Sequence, residues 1–129
     1  MILEPQPVAE GWFDLQGAKL TKHERKLGLW AEEVLQAAIW NDADYAFSIV
    51  SLIHELDSEQ KYVETFAAGP VEDLLSWQGA SVIDRIEGLA RRDPKFAFVL
   101  GGVWQNNMTD EIWARVQAAQ QRKGWDGQG

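Results

Sequence analysis

Few residues in this chain have the types and spacing that catalysis or metal binding requires. His54 and Glu55 resemble the start of a zinc-protease helix motif, but that motif needs a second His four residues after the first. Position 58 is Ser, so the motif is incomplete. His54 is therefore predicted to be a hydrogen-bonded histidine at the core or its edge. His23, in the first turn of a predicted helix, is expected at the surface.

Acidic residues around the predicted central helix raise the question of a calcium site. A calcium loop needs regularly spaced oxygen ligands, a Gly at its turn and a closing Glu. No Gly lies between residues 29 and 68, so no metal and no other cofactor is expected. The carboxylates are interpreted as solvated helix ends, and they are Asp42, Asp44, Glu55, Asp57 and Glu59.

Two carboxylate pairs, Glu72 with Asp73 and Asp84 with Glu87, have the residue types of acid–base hydrolysis. The first pair is expected in the first turn of a helix, where the positive end of the helix dipole stabilises anions. Glu87 is expected to pair with Arg91, one helical turn later. Structural roles therefore explain both pairs, no catalytic residue is predicted, and a carboxylate-dependent enzyme is a remote alternative.

Composition favours one small soluble domain spanning residues 1–129. The chain has 129 residues, of which 46% are hydrophobic, and it has no cysteine. Disulfides, thiolate metal sites and cysteine nucleophiles are therefore excluded. No run of about 18 apolar residues predicts a membrane span, and residues 1–5 do not resemble a signal peptide. A cytoplasmic location is expected.

Helical periodicity begins after an N-terminal arm, residues 1–20, which is predicted to be a short helix or a segment packed on the body. Thr21 and Glu24 have the spacing of a capping box. Apolar residues then recur at three and four positions, as in an amphipathic helix. The predicted inner face of that helix comprises Leu27, Trp30, Val34, Leu35 and Ala38.

The next predicted helix spans residues 42–56, with Asn41 as its N-cap. Its apolar stripe is wide, which indicates the central buried helix. Another helix is expected to start at Asp57 or Ser58. Gly69-Pro70 is interpreted as a helix break.

Further helices are predicted in the second half of the chain. One is expected to end at Gly79 and the next to open at Ser81. Asp93-Pro94 has the pattern of an N-cap followed by a first helical residue, and Gly101-Gly102 indicates a bend or a close helix contact. Thr109 is the predicted N-cap of the last helix, and residues 123–129 are expected to be a flexible tail.

No β pattern competes, because alternation of period two does not persist anywhere. The prediction is an all-α fold with about seven short helices, packed as antiparallel helical hairpins in a small α-solenoid-like domain. Most of the seven tryptophans are expected in the core, with Trp77 or Trp125 partly exposed.

Four motifs in the second half resemble a family of short bacterial proteins that carry a domain of unknown function. The resemblance covers about residues 60–118 and implies a bacterial, helical, cytoplasmic protein, without implying an activity or a catalytic residue. The motifs are Gly69-Pro-Val-Glu-Asp-Leu-Leu75, Ile83-Asp-Arg-Ile-Glu87, Ala90-Arg-Arg-Asp-Pro94 and Leu100-Gly-Gly-Val-Trp104.

Charge is distributed unevenly along the chain. Between Leu27 and Asp84 there are eleven acidic residues and one base, Lys61, whereas Arg85 to Lys123 has seven bases and four acids. The acidic stretch would repel nucleic acid and attract a basic protein. An alternative is that the acidity serves only solubility.

The functional expectation is an acidic protein-binding protein, of the kind that serves as a bacterial immunity protein and neutralises a basic toxin such as a nuclease. The alternative is a regulatory or scaffolding domain that binds an endogenous partner or self-associates as a homo-oligomer. No nucleic acid or membrane partner is expected. The predicted partner-binding residues are Asp42, Asp44, Glu55, Asp57, Glu59, Glu64, Glu72, Asp73 and Trp77.

Overall fold

The chain is all-α. A computed structural model describes residues 4–17 and 19–125, which form helices and turns and contain no strand. The contacts divide the chain into two compact units, Met1–Glu59 and Gln60–Gly129, and each is described by itself. Within the described residues, no helix is both long enough and apolar enough to cross a membrane. The prediction of a single domain over residues 1–129 stays a prediction.

Three helices that pack against one another form the first unit: α1 (Pro5–Phe13), α2 (Lys22–Asn41) and α3 (Ala43–Leu56). Part of the predicted arm is thus the helix α1. The predicted capping box is confirmed, because the Glu24 amide donates to Thr21 Oγ1 and the Thr21 amide donates to Glu24 Oε1, both at 3.0 Å. His23, in the first turn of α2, is exposed as predicted.

The inner face of α2 differs from the prediction. Leu35 and Ala38 are buried, but Leu27 and Trp30 are exposed. The apolar residues predicted to form one inner face belong to two different faces of α2. A pattern of apolar residues three or four apart cannot separate two faces when both carry apolar residues. The face that packs in this unit comprises Gly28, Ala31, Leu35, Ala38 and Ile39.

Helix α3 begins one residue later than predicted. Asp42 is its N-cap, with Oδ1 accepting from the Tyr45 amide at 3.1 Å, whereas the Asn41 side chain donates to the Ala37 carbonyl of α2. The predicted cap at Asn41 is therefore wrong, since its amide serves the end of the preceding helix. His54 is buried in α3, as expected.

Residues 57–62 contain turns and no helix, although the sequence predicted a helix from Asp57 or Ser58. Helix α4 spans only Val63–Phe66. Gln60 adopts φ 56°, in the left-handed region, which a continuous right-handed helix cannot contain. The start of this helix was therefore predicted too early.

Gly69-Pro70 does not break the helix, contrary to the prediction. A π-helical segment, Ala67–Val71, contains Pro70 and leads directly into α5 (Glu72–Arg92). Proline lacks the amide donor and its ring clashes with the carbonyl four residues earlier in an α-helix. A π turn bonds five residues back. The Glu72 amide, for example, donates to the Ala67 carbonyl. Helical hydrogen bonding therefore continues past Pro70.

The helix end predicted at Gly79 and the new start predicted at Ser81 correspond to a kink in α5. Two helical segments meet there at Gln78, which has the non-helical angles φ −129° and ψ 23°. Gly79 is buried, and a Cβ placed there would lie 3.0 Å from Ile112 Cγ2. The glycine therefore allows close packing of another helix rather than ending this one.

Two short helices complete the second unit: α6 (Pro94–Gly101) and α7 (Asp110–Ala119), both packed on α5. Asp93 caps α6 and Thr109 caps α7, as predicted. The chain after α7 is docked rather than flexible as far as Trp125, whose ring stacks on Phe98 at 4.9 Å. The remainder of the predicted tail, residues 126–129, lies outside the described residues.

Candidate functional site

An open groove lies between α5 and α7 in the second unit. It has a volume of 490 Å³, an apolar floor and a rim that carries Trp77, Glu111 and Arg115. A smaller cleft of 320 Å³ continues along the same pair of helices, and Arg115 lines both. The floor of the larger cleft includes Leu75, Gly79, Ala80, Ile83 and Ile112.

Arg115 connects α7 to two carboxylates of α5 beside this groove. Its Nε lies 3.0 Å from Glu87 Oε2, and its Nη2 lies 2.5 Å from Glu87 Oε1 and 2.7 Å from Asp84 Oδ1. The Glu87 pairing is bidentate, which is the geometry that a planar guanidinium favours. The Asp84 side chain remains 90% exposed, so it can still meet another molecule.

The guanidinium controls the protonation of its partner. Hydrogen bonds from Arg115 hold the pKa of Glu87 below its usual value. The carboxylates of Glu87 and Asp84 in turn raise the pKa of Arg115. Glu87 therefore stays ionised near neutral pH and is a poor general acid there. Arg115, and not the predicted Arg91, makes the hydrogen bonds to Glu87, while the charge of Arg91 also lowers the pKa of Glu87.

Trp77 is the one predicted partner-binding residue that lines the groove. It is 46% exposed, as expected for this side chain. The prediction that most tryptophans lie in the core is wrong. Only Trp12 is buried, and the exposed ones are Trp30, Trp40, Trp77 and Trp104.

Glu72 has a structural role in the second unit that differs from the one predicted. Its carboxylate accepts from the Trp104 amide at 2.9 Å and from Asn106 Nδ2 at 3.3 Å. It therefore holds the loop between α6 and α7. Helix-end stabilisation does not explain its position, because the π-helical segment precedes it and no free helix start exists there. Asp73 is partly buried in the next position of α5.

The remaining predicted partner-binding residues do not form one cluster. Asp42 and Asp44 lie at the start of α3, whereas Glu55, Asp57 and Glu59 lie at or after its end. Eleven residues of helix separate Asp44 from Glu55, about 16 Å at 1.5 Å per residue. In the second unit Glu64 is exposed on α4. A continuous acidic stretch of sequence therefore becomes several separate surface positions.

Sequence reasoning missed Glu111 and Arg115 as site residues. Both lie in the segment from Arg85 onward, which the charge count described as basic. Nothing local in the sequence indicates that Arg115 binds Asp84 and Glu87, which precede it by 31 and 28 residues. The available signal was the small Gly79 opposite apolar Ile112, which is compatible with a close helix contact.

These features define a helical protein with an open, tryptophan-bearing groove beside a charged triad, and no group of His or acidic residues in the described part of the chain could hold a metal ion. The chain belongs to DUF6869, a family of unknown function, which matches residues 18–124. The match extends well beyond the predicted residues 60–118, into the first half of the chain. No curated protein and no solved structure matches the chain significantly.

Proposed function

We propose that this chain is a protein-binding domain whose α5–α7 groove captures a basic segment of a partner protein. The observation that carries the proposal is the placement of Trp77, half exposed, on a groove with an apolar floor, beside the Asp84 and Glu87 carboxylates that Arg115 binds. Exposed tryptophans are enriched among the residues that dominate binding energy at protein interfaces.

The charge of the rim supports a basic partner. The two charged residues that line the groove, Glu111 and Arg115, cancel each other. Asp84 and Glu87, which bind Arg115, bring the total to two negative charges, and Arg91 on the adjoining cleft reduces it to one. The whole chain has a formal charge of −8, so long-range attraction acts in the same direction. A Lys or Arg side chain beside Trp77 would gain a cation–π contact in addition to the carboxylates.

In its narrower form the proposal is a bacterial immunity-type inhibitor that neutralises a basic toxin in the cytoplasm. The absence of cysteine fits a reducing compartment. Adjacent genes for the toxin and this chain, with rescue of growth on co-expression, would support this form. Loss of rescue in Trp77→Ala would tie it to the groove. The absence of rescue beside a genuine toxin gene would contradict the narrower form alone.

The broader proposal is tested by calorimetric titration with a Lys/Arg-rich peptide and with a Gln-rich peptide of the same length. Glu111→Lys reverses a charge on the groove, and Glu64→Lys makes the same change of net charge away from it. We expect the basic peptide to bind the parent and Glu64→Lys, and to bind Glu111→Lys at least about tenfold more weakly, equivalent to 1.4 kcal/mol. Equal weakening in both variants would show that diffuse acidity, and not the groove, attracts the peptide.

A further inference from the structure

The loop between α6 and α7 presents Trp104, which is 67% exposed, more than any other large hydrophobic side chain that the structure describes. Hydrogen bonds nevertheless fix this loop. The Trp104 amide donates to Glu72 Oε1 at 2.9 Å. Gln105 Nε2 donates to the Met108 carbonyl at 3.2 Å and to Asp110 Oδ1 at 2.9 Å. A loop that is already ordered loses little conformational entropy on binding, so an exposed tryptophan held there is suited to anchor a partner.

The loop leads directly into the α5–α7 groove. It ends at Thr109, which lines the groove together with Trp77 and Glu111. Glu72, which holds the start of the loop, precedes Trp77 by five residues of α5, about 7.5 Å at 1.5 Å per residue. The two exposed tryptophans therefore lie at the end of the groove where α5 and α7 both begin. We name this the loop end, and it comprises residues 72–77 and 104–111.

Charge at the loop end is negative. Residues 62–84 and 96–114, which build it, contain no Lys, Arg or His. Glu72 and Asp110 accept hydrogen bonds from neutral amide groups only, and these bonds leave their charges in place. Glu111 adds a third carboxylate. The positive end of the α7 dipole is equivalent to about half a charge, so it offsets only a small part of the three.

The opposite end of the groove carries basic residues. Arg91 and Arg115 line the smaller cleft together with Glu87. With the second carboxylate that Arg115 binds, these side chains have two positive and two negative charges. The bases that follow α7, Arg122 and Lys123, line neither cleft. The groove is therefore negative at the loop end and neutral at the other.

We propose that the partner's segment lies in the groove with its most basic part over the loop end, where Trp104 is a second anchor beside Trp77. A Lys or Arg side chain there would meet exposed aromatic rings and three carboxylates. At the other end it would meet two guanidinium groups. This orientation rests on the proposed binding of a basic segment by the groove, and adds the direction in which the segment lies.

The orientation also describes the partner. From Trp77 to Arg91 the groove follows 14 residues of α5, about 21 Å, which about six residues of extended chain would span. The basic residues of the partner are therefore clustered at one end of such a segment, and the rest of the segment is neutral.

The second anchor is tested with Trp104→Ala, and Trp40→Ala is the matched control, because Trp40 is 56% exposed and belongs to the first unit. The ligand is a peptide with one Lys/Arg-rich half and one Gln-rich half, and circular dichroism checks the fold of both variants. Calorimetric titration should show binding at least about fivefold weaker for Trp104→Ala and within about twofold of the parent for Trp40→Ala. Equal weakening of both variants, or parental affinity in Trp104→Ala, would overturn the second anchor.

Orientation is measured with a nitroxide label on either end of the same peptide and the 15N-labelled chain. A label on the basic end should broaden the amide signals of Gln105 and Asn107 more than those of Ala118 and Ala119. A label on the Gln-rich end should give the reverse. Equal broadening from both labels, in a peptide that binds the groove, would overturn the orientation and leave the proposed function standing. A peptide that does not bind the parent chain would overturn both.

Discussion

Arg115 donates two hydrogen bonds to Glu87, from Nε at 3.0 Å and from Nη2 at 2.5 Å, and so connects α7 to α5 along one side of the groove. The same guanidinium reaches Asp84. The pairing keeps Glu87 ionised and fixes the side chain that separates the two clefts. The shape and the charge of the groove therefore depend on one residue of α7.

Replacing Arg115 by Met should lower stability in a pH-dependent way. The pKa of Glu87 lies below its ordinary value of 4.5 in the folded chain, so its pairing stabilises the fold above that pH and is lost as pH falls through the folded pKa. Thermal melts should therefore show a deficit for Arg115→Met at pH 7 that shrinks by pH 3. Arg91→Met is the control, and an equal deficit there would restore the pairing predicted from sequence.

Tyr45 should destabilise the chain at high pH. Its hydroxyl is buried with no hydrogen-bond partner among the described residues, and burial raises its pKa above 10.0. Because an unfolded chain loses this proton more easily, stability falls as pH rises above about 10. Tyr45→Phe should melt at the parent's temperature or slightly above it at pH 7, and should lose less stability at pH 11. A variant less stable at pH 7 by more than about 1 kcal/mol would show that the hydroxyl is satisfied.

The loop between α6 and α7 should loosen when Glu72 is replaced. Its carboxylate accepts from the Trp104 amide at 2.9 Å, and a hydrogen bond of this kind contributes about 0.5–1.5 kcal/mol. Glu72→Ala is expected to speed hydrogen exchange at the Trp104 amide several-fold, while the capped Ile112 amide of α7 serves as an internal reference. Unchanged exchange at Trp104 would mean that the carboxylate does not anchor the loop.

The caps of α2, α6 and α7 could be predicted from the sequence because the signal is local, whereas the cap of α3 was predicted one residue too early. Thr21, Asp93 and Thr109 bond to amides two or three residues away, so the pattern and the contact coincide. Gly69-Pro70 and Gly79 have roles that the local sequence pattern does not indicate. Gly69-Pro70 lies within a π-helical segment that continues into α5. At Gly79 the absence of a side chain leaves room for Ile112 to pack closely. The contact at Gly79 depends on Ile112, which is distant in the sequence and therefore outside any local pattern.

The groove could be predicted only in part. Trp77 was selected for its residue type, and that choice does not require knowledge of its neighbours. The selected acids were chosen by their nearness in sequence, whereas the carboxylates around the groove, Asp84, Glu87 and Glu111, come from two helices that pack together. A count of charge along the chain cannot show which side chains share a surface.

Trp125 should be energetically coupled to Gly102. A Cβ placed on Gly102 would lie 2.5 Å from Trp125 Cη2, and all its closest neighbours belong to that ring. Gly102→Ala should therefore destabilise the chain by about 1–3 kcal/mol through overpacking. The cost should largely vanish when Trp125→Ala is also present, as a double-mutant cycle by chemical denaturation would measure. Additive effects would show that the ring does not dock there.

The central claim is that Trp77 and its groove bind a basic segment, and the most direct measurement is an NMR titration of the 15N-labelled chain with the Lys/Arg-rich peptide. The Trp77 indole N–H signal is assigned from its loss in Trp77→Phe. We predict saturable shifts of that signal and of amides in α5 and α7 around Gly79, Glu111 and Arg115, with no comparable shifts from the Gln-rich peptide. Saturable shifts centred on α3, near Asp42 or Glu55, with an unmoved Trp77 signal would contradict the account.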